Sequence, residues 1–89
     1  MDKIQEEAFN KLQPFQQRLV KEYDELKDRV SKLGAFMTPK NDIFRNLNCD
    51  EQKDMWTQFH AMVIYKMALY SRLERANLAN IFFPITVDN

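Results

Sequence analysis

Glycine and proline are scarce in this chain, and their scarcity limits the folds that it can adopt. The 89 residues include one glycine, Gly34, and three prolines, Pro14, Pro39 and Pro84. A β-protein of this size needs more of the residues that make tight turns between strands. The sequence therefore predicts an all-α fold whose helices begin or end close to the prolines.

The first 38 residues predict a short helix that is kinked into a long one. Proline suits the first turn of a helix and disfavours the α conformation at the residue before it. We therefore expect a short N-terminal helix within 1–13, a kink, and a long helix over 14–38. Apolar residues of the long helix recur at alternating steps of four and three, the pattern of one buried face. They are Leu19, Tyr23, Leu26, Val30, Leu33 and Met37.

The second half of the chain predicts another long helix. Residues 39–49 are expected to form a connector with a short turn at 43–47, and Asn48 precedes Glu51 at the spacing of a capping box. Because no glycine or proline lies between 40 and 83, one helix is predicted over 50–82, followed by an apolar tail over 83–89 that becomes extended after Pro84. The expected buried face comprises Met55, Phe59, Met62, Leu69, Leu73 and Ala76. Two long helices with a short connector predict a single domain built as an antiparallel hairpin.

A second apolar stripe on the last helix predicts self-association. Its members are Trp56, Val63, Met67 and Tyr70. A hairpin buries only one face of each helix, and a core this small supplies little net stability. We therefore expect copies of the chain to cover the stripe. The alternative is a monomer in which the N-terminal helix and the tail cover it.

Composition disfavours several classes of function. Thirteen basic and thirteen acidic residues give a net charge of zero, whereas a duplex-binding protein needs a broad positive surface. One cysteine and one histidine disfavour a disulfide framework or a metal site, so we interpret Cys49 as a turn residue and His60 as a surface or interface residue. No phosphate loop, catalytic triad or HExxH pattern occurs, which predicts a protein that is not an enzyme and uses no cofactor. The acidic N-terminus and the short apolar runs predict a cytosolic protein that does not contact membranes.

One group of basic residues indicates a binding role. No acidic residue lies between Asp54 and Glu74, a stretch that contains Lys66 and Arg72, and Arg75 follows it. Arginine presents a planar fork that suits phosphate oxygens, and aromatic side chains stack on bases. In a symmetric oligomer these arginines would surround a shared cavity and bind a small charged nucleotide. The alternative is that they pair with Glu74 or with acidic residues of a neighbouring chain.

Two stretches of the chain resemble a known family over about residues 14–75. The patterns are Phe15-x-x-Arg18-Leu19-Val20-x-Glu22-x-x-Glu25-Leu26-x-x-Arg29-Val30-x-Lys32-Leu33-x-x-Phe36, and Phe44-x-x-Leu47 followed by Glu51-Gln52-x-x-Met55-x-x-Gln58-x-x-x-Met62-x-x-Tyr65-x-x-x-Leu69-x-x-Arg72. Their joint spacing resembles the phage anti-CBASS cyclic-oligonucleotide sponges. The resemblance implies a compact homohexamer of helical hairpins in the cytoplasm of the infected bacterial host. It also implies binding of cyclic dinucleotides and cyclic trinucleotides without cleavage, so that the CBASS effector is not activated.

The resemblance also implies which residues bind the ligand. It matches a dinucleotide pocket to Phe15 and to the triplet Arg29, Val30 and Ser31, and a trinucleotide site on the oligomer axis to Arg72. Many family members have tyrosine and lysine where this chain has Phe15 and Arg29, so stacking and phosphate charge are retained while a hydroxyl contact is lost. With their neighbours, the candidate cyclic-nucleotide-binding residues are Phe15, Arg18, Arg29, Val30, Ser31, Lys32, Arg72 and Arg75.

Two other functions remain open at the level of sequence. The first is a protein-binding adaptor that docks a partner on the stripe from Trp56 to Tyr70. The second is a structural coiled-coil oligomer. Neither alternative includes a nucleotide ligand.

Overall fold

Five helices build the part of the chain that the computed structural model describes, residues 1–85. They are α1 (Lys3–Asn10), α2 (Pro14–Phe36), α3 (Asp42–Arg45), α4 (Cys49–Arg75) and α5 (Ala79–Phe82). No strand occurs within residues 1–85, so the predicted all-α fold is confirmed. The extended conformation expected at Thr86 and Val87 lies outside the described residues. None of the described helices combines the length and the apolar composition needed to cross a lipid bilayer.

The kink between α1 and α2 lies at Pro14, as the sequence predicts. Gln13 is extended, with φ −64° and ψ 151°, and Pro14 occupies the first position of α2. Proline lacks a backbone N–H, and the first N–H groups of a helix have no partner within it, so Pro14 begins α2 without losing a hydrogen bond. The N–H of Gln13 is bound by Oε1 of Gln16 at 3.2 Å.

The two long helices pack as an antiparallel hairpin. Tyr23 of α2 lies against Tyr70 of α4, with ring centroids 5.6 Å apart. Nearer the connector that contains α3, Gly34 lies against the ring of Phe59, and a Cβ atom on Gly34 would be 3.2 Å from Cε2 of that ring. The absence of a side chain at Gly34 therefore lets the helices approach closely at this end.

The core follows the apolar pattern of the sequence most closely near the C-terminal end of α4, where α5 packs on the hairpin. The buried residues of the two helices are Leu19, Val20, Tyr23, Leu26, Val30, Leu69 and Leu73. Leu33 and the remaining predicted α4 positions, Met55, Phe59, Met62 and Ala76, are half-buried. The predicted seam is therefore present, and it is most completely covered where α5 packs on it.

The predicted helix over 50–82 begins within one residue of the observed start but is wrong at its C-terminal end, because α4 spans Cys49–Arg75. Asn48 caps its start, with Oδ1 accepting the N–H of Glu51 at 2.8 Å. At the other end Asn77 adopts φ 61°, and the N–H groups of Asn77 and Leu78 reach back to the carbonyl oxygens of Glu74 and Leu73 at 3.0 and 2.8 Å. This is a Schellman ending, which needs a left-handed residue and an apolar one after it. Without a glycine or proline to mark it, the stop was not predicted.

We expect Asn77→Ala to destabilise the protein by about 1 kcal/mol, because a residue with a Cβ and no local polar contact resists the left-handed conformation. Asn77→Gly should retain the wild-type stability, since glycine adopts this conformation without strain. Urea unfolding of the two variants measures the difference. Equal stability of the alanine and glycine variants would contradict the proposed role of this residue.

After the turn, α5 folds back onto the hairpin and α1 packs on α5. Leu78, Ala79 and Phe82 are buried. The rings of Phe9 and Phe82 meet edge to face at 6.4 Å, and the Gln5 side-chain amide donates to the backbone carbonyl of Ile81 at 2.9 Å. Because α1 contacts α5, it does not cover the second apolar stripe of α4.

Coverage of that stripe differs along its length. Val63 and Tyr70 are half-buried, and the ring of Phe83 reaches this end of the hairpin. Trp56 and Met67 remain 46% and 66% exposed in the single chain. The part of the tail that the structure describes therefore covers one end of the stripe only.

Candidate functional site

One side of α2 carries most of the candidate ligand-binding residues. Spacing of three and four residues places them in one row along the helix, which we call the arginine stripe. The arginine stripe comprises Phe15, Arg18, Glu22, Glu25, Arg29 and Lys32. The Tyr65 hydroxyl donates a hydrogen bond to the Glu22 carboxylate, so this part of α4 borders the stripe.

The side chains of the arginine stripe are accessible to a ligand. Phe15 is 56% exposed, and Arg18 is exposed. Arg29 lies 4.0 Å from Glu25, and Nζ of Lys32 lies 2.8 Å from the Asp28 carboxylate. Exposed pairs of this kind contribute at most about 1 kcal/mol, so they do not prevent these cations from turning to a phosphate.

The other two members of the triplet are placed differently from Arg29. Val30 is 8% exposed and belongs to the core between α2 and α4. Ser31 is exposed, but it is two positions after Arg29, so the two side chains leave the helix about 160° from one another. The structure therefore brings Arg29 into the arginine stripe with Phe15 and Arg18, and leaves Val30 packed against protein.

The candidate residues lie towards two different ends of the hairpin, one group near Phe15 and the other near Arg29. Arg29 lies fourteen positions after Phe15, which is about 21 Å along a helix. Arg72 and Arg75 are exposed in the last turn of α4, at the end of the hairpin where α2 begins. A single chain therefore groups Arg72 with the Phe15 end of the stripe and does not bring Phe15 and Arg29 into one pocket.

A groove on another side of the hairpin has a volume of about 700 Å³. It lies between α2, α4 and the residues that follow α5. We call it the lysine groove and define it by its central residues: Tyr23, Lys27, Lys66, Tyr70, Glu74 and Phe83. Sequence reasoning did not identify this groove.

Aromatic rings form the floor of the lysine groove. Tyr23 contacts both Tyr70, at 5.6 Å between centroids, and Phe83, at 4.5 Å. Nζ of Lys27 lies 5.7 Å from the centre of the Phe83 ring, within the range of a cation–π contact. Burial, and in second place the neighbouring Tyr70, raises the pKa of Tyr23 above its ordinary value. Its hydroxyl therefore stays protonated at neutral pH and can donate a hydrogen bond.

A pattern in the sequence does point to this groove once the hairpin is known. Tyr23 and Lys27 are four residues apart on α2, as are Lys66 and Tyr70 on α4. Because the helices are antiparallel and Tyr23 faces Tyr70, Lys27 and Lys66 line the same groove. The pairing depends on how the two helices are aligned, which local spacing does not determine.

The two residues that composition singled out lie apart from both surfaces. His60 is exposed and stacks on Trp56, with ring centroids 5.8 Å apart. Cys49 is exposed at the first residue of α4. These positions agree with the interpretation of His60 as a surface residue and place Cys49 at the helix start.

Comparison with known proteins identifies one family. The family model described as Sequestin matches residues 13–75. This range spans α2, α3 and α4 and contains all the candidate ligand-binding residues. Searches of curated proteins and of solved structures returned no match at a significant level. The family name denotes sequestration of a ligand, in agreement with the sponge family that the residue spacing resembles. The match covers well over half of the chain, and the protein therefore belongs to the Sequestin family.

Proposed function

We propose that this protein is a sponge for cyclic dinucleotides and cyclic trinucleotides, which it binds without cleaving. In this proposal it is a phage protein that acts in the cytoplasm of the infected bacterium and prevents cyclic nucleotides from activating a CBASS effector. The observation that carries the proposal is the Sequestin match over residues 13–75, because it covers the whole hairpin and every candidate ligand residue.

The exposed side chains supply the chemistry that such a ligand requires. Arg72 and Arg75 present guanidinium groups to solvent, and Phe15 presents more than half of its surface. Guanidinium groups pair with phosphate oxygens, and an exposed aromatic ring stacks on a nucleotide base whichever of the four bases it is. Binding requires only affinity and enough copies of the protein. No nucleophile or general base is called for.

Assembly of several copies is part of the proposal. Phe15 and Arg29 are too far apart in one chain to share a ligand, so Phe15 of one copy would meet Arg29 of another. The radius of gyration of the chain is 16.3 Å, whereas a compact domain of this length has about 12 Å. This extended shape leaves Trp56 46% exposed, and a neighbouring copy would cover it.

We expect a homohexamer, in which copies of Arg72 surround the symmetry axis. Light scattering or sedimentation should give about six times the chain mass of 10.7 kDa. A single-chain mass at micromolar concentration, together with no response to cyclic nucleotides, would overturn the proposal.

Thermal unfolding tests whether the ligand is bound. A cyclic dinucleotide or trinucleotide at a hundred times its dissociation constant should stabilise the protein by about 2.7 kcal/mol. Linear dinucleotides of the same base composition provide the control. After heat denaturation the bound cyclic nucleotide should be recovered intact by liquid chromatography, whereas recovery of a linear product would indicate an enzyme.

A protein-binding adaptor is the second candidate, because Trp56 and Met67 remain exposed in the single chain. It predicts that no cyclic nucleotide raises the melting temperature. It also predicts that Trp56→Ala abolishes capture of a partner protein while leaving the mass of the free protein unchanged. The same thermal-shift and mass measurements therefore separate the two functions.

A further inference from the structure

The lysine groove contains two lysines that take part in none of the ion pairs found within residues 1–85. Lys27 and Lys66 both line it. The ion pairs within residues 1–85 join Arg29 to Glu25, Lys32 to Asp28 and Arg45 to Asp42, and neither groove lysine takes part. On α4, no acidic residue lies within four positions of Lys66. Two ammonium groups that line one groove attract an anion.

The rest of the groove suits a planar ring. Tyr23, Tyr70 and Phe83 provide an aromatic wall beside the lysines. Small-molecule sites are mostly apolar clefts of about 300–1,000 Å³ with a few polar groups, and a groove of about 700 Å³ lies within this range. Glu74 also lines the groove, eight residues beyond Lys66, which is about 12 Å along α4. The groove therefore has a cationic end, an aromatic middle and one hydrogen-bond acceptor at the far end.

This groove and the arginines of α4 face different directions. Tyr70 and Arg72 are two positions apart, so their side chains leave the helix about 160° from one another. A ligand held by Arg72 therefore does not occupy the groove of the same chain.

We propose that the lysine groove binds a purine nucleoside monophosphate, at a site separate from the arginine stripe. A terminal phosphate carries about −1.5 to −2 charges at neutral pH, which matches two lysines, whereas each phosphodiester of a cyclic nucleotide carries a single charge. Lys27 and Lys66 contact the phosphate and the purine lies against Tyr70 and Phe83. Glu74 accepts a hydrogen bond from the exocyclic amino group. The inference rests on the groove of one chain and does not depend on the sponge function.

Titration of the full chain with AMP, followed by NMR of ¹³C-labelled methionine methyl groups, tests the proposal. Met67 lines the groove, whereas Met37 is buried close to the end of α2 that lies away from it. We expect the Met67 methyl signal to shift to saturation and the Met37 signal to stay unchanged. Adenosine and inorganic phosphate should each bind at least about tenfold more weakly than AMP, since each lacks half of the contacts, a factor that corresponds to about 1.4 kcal/mol.

Charge variants identify the groups that hold the phosphate. Lys27→Met and Lys66→Met retain the apolar stem and should each weaken AMP binding about tenfold. Lys53→Met removes the same charge elsewhere on α4 and should leave AMP binding unchanged. Because exposed ionic contacts are screened by salt, the affinity should also fall as the ionic strength rises.

The groove site would be overturned if the Met67 signal did not respond to millimolar AMP, or if adenosine bound as tightly as AMP. It would also be overturned if a cyclic dinucleotide displaced AMP. A Met67 signal that responds only to protein concentration would show that a second copy covers the groove, and this too would contradict the proposal. The sponge function is measured separately, by cyclic oligonucleotide binding to Arg72. Failure of one proposal is therefore distinguishable from failure of the other.

Discussion

Replacing Leu73 by alanine is expected to destabilise the protein by about 2–5 kcal/mol. Leu73 is 0% exposed and belongs to the cluster that α2, α4 and α5 share. Its removal loses the transfer free energy of the side chain and leaves a cavity that the packed helices close only in part. A small domain has a total stability of about 5–15 kcal/mol, so this one change removes a large part of it. Urea unfolding at constant protein concentration measures the effect.

Ile43→Ala is the matched control for this prediction. Ile43 is 67% exposed on α3 and lies outside the core cluster. Its replacement should change the free energy of unfolding by no more than about 0.5 kcal/mol. Equal losses for the two variants would show that burial in the single chain does not set the stability of this protein.

Replacing Arg72 by alanine is expected to weaken cyclic trinucleotide binding by about thirtyfold or more. Removing one partner of a buried, hydrogen-bonded charge pair costs about 2–5 kcal/mol, and each 1.4 kcal/mol is a factor of ten in the dissociation constant. Because Arg72 is exposed in the last turn of α4 and takes part in no core contact, the oligomer should persist. Isothermal titration calorimetry measures the affinity, and light scattering measures the mass.

Lys53→Ala controls for the loss of one positive charge on the same helix. Lys53 is exposed in the first turns of α4, far along the helix from Arg72. Its replacement should leave trinucleotide binding within about twofold of wild type, since the charge lies beyond the Debye length of about 8 Å at physiological salt. Unchanged calorimetry for Arg72→Ala would remove Arg72 from the ligand site without affecting the rest of the fold.

Local signals in the sequence were sufficient for some helix ends and not for others. Pro14 marks the start of α2 because a missing N–H and a restricted φ act on the residue itself and its neighbour. Asn77 ends α4 equally sharply, but asparagine is common within helices as well as at their ends. Its left-handed conformation is stabilised by burial of Leu78 against the hairpin, which is a tertiary contact.

The candidate site likewise combines features that local sequence signals indicate with features that only the folded structure shows. The family resemblance named Phe15, Arg18 and Arg29, and helix geometry brings them to one side of α2, since side-chain direction follows from their spacing. The same spacing put Val30 on the core face, although the family resemblance matched it to the ligand, and the structure shows it buried.

The amino-acid sequence by itself determined the all-α class, the hairpin, the apolar faces of its helices and the family, because each depends on residues within a few turns of one another. The tertiary structure alone decided where α4 stops, the placement of Arg72 at the end of the hairpin where α2 begins, and the presence of Lys27 and Lys66 in one groove. These features depend on how two distant helices align and on what packs across them. That alignment is a balance of many weak contacts between residues far apart in sequence.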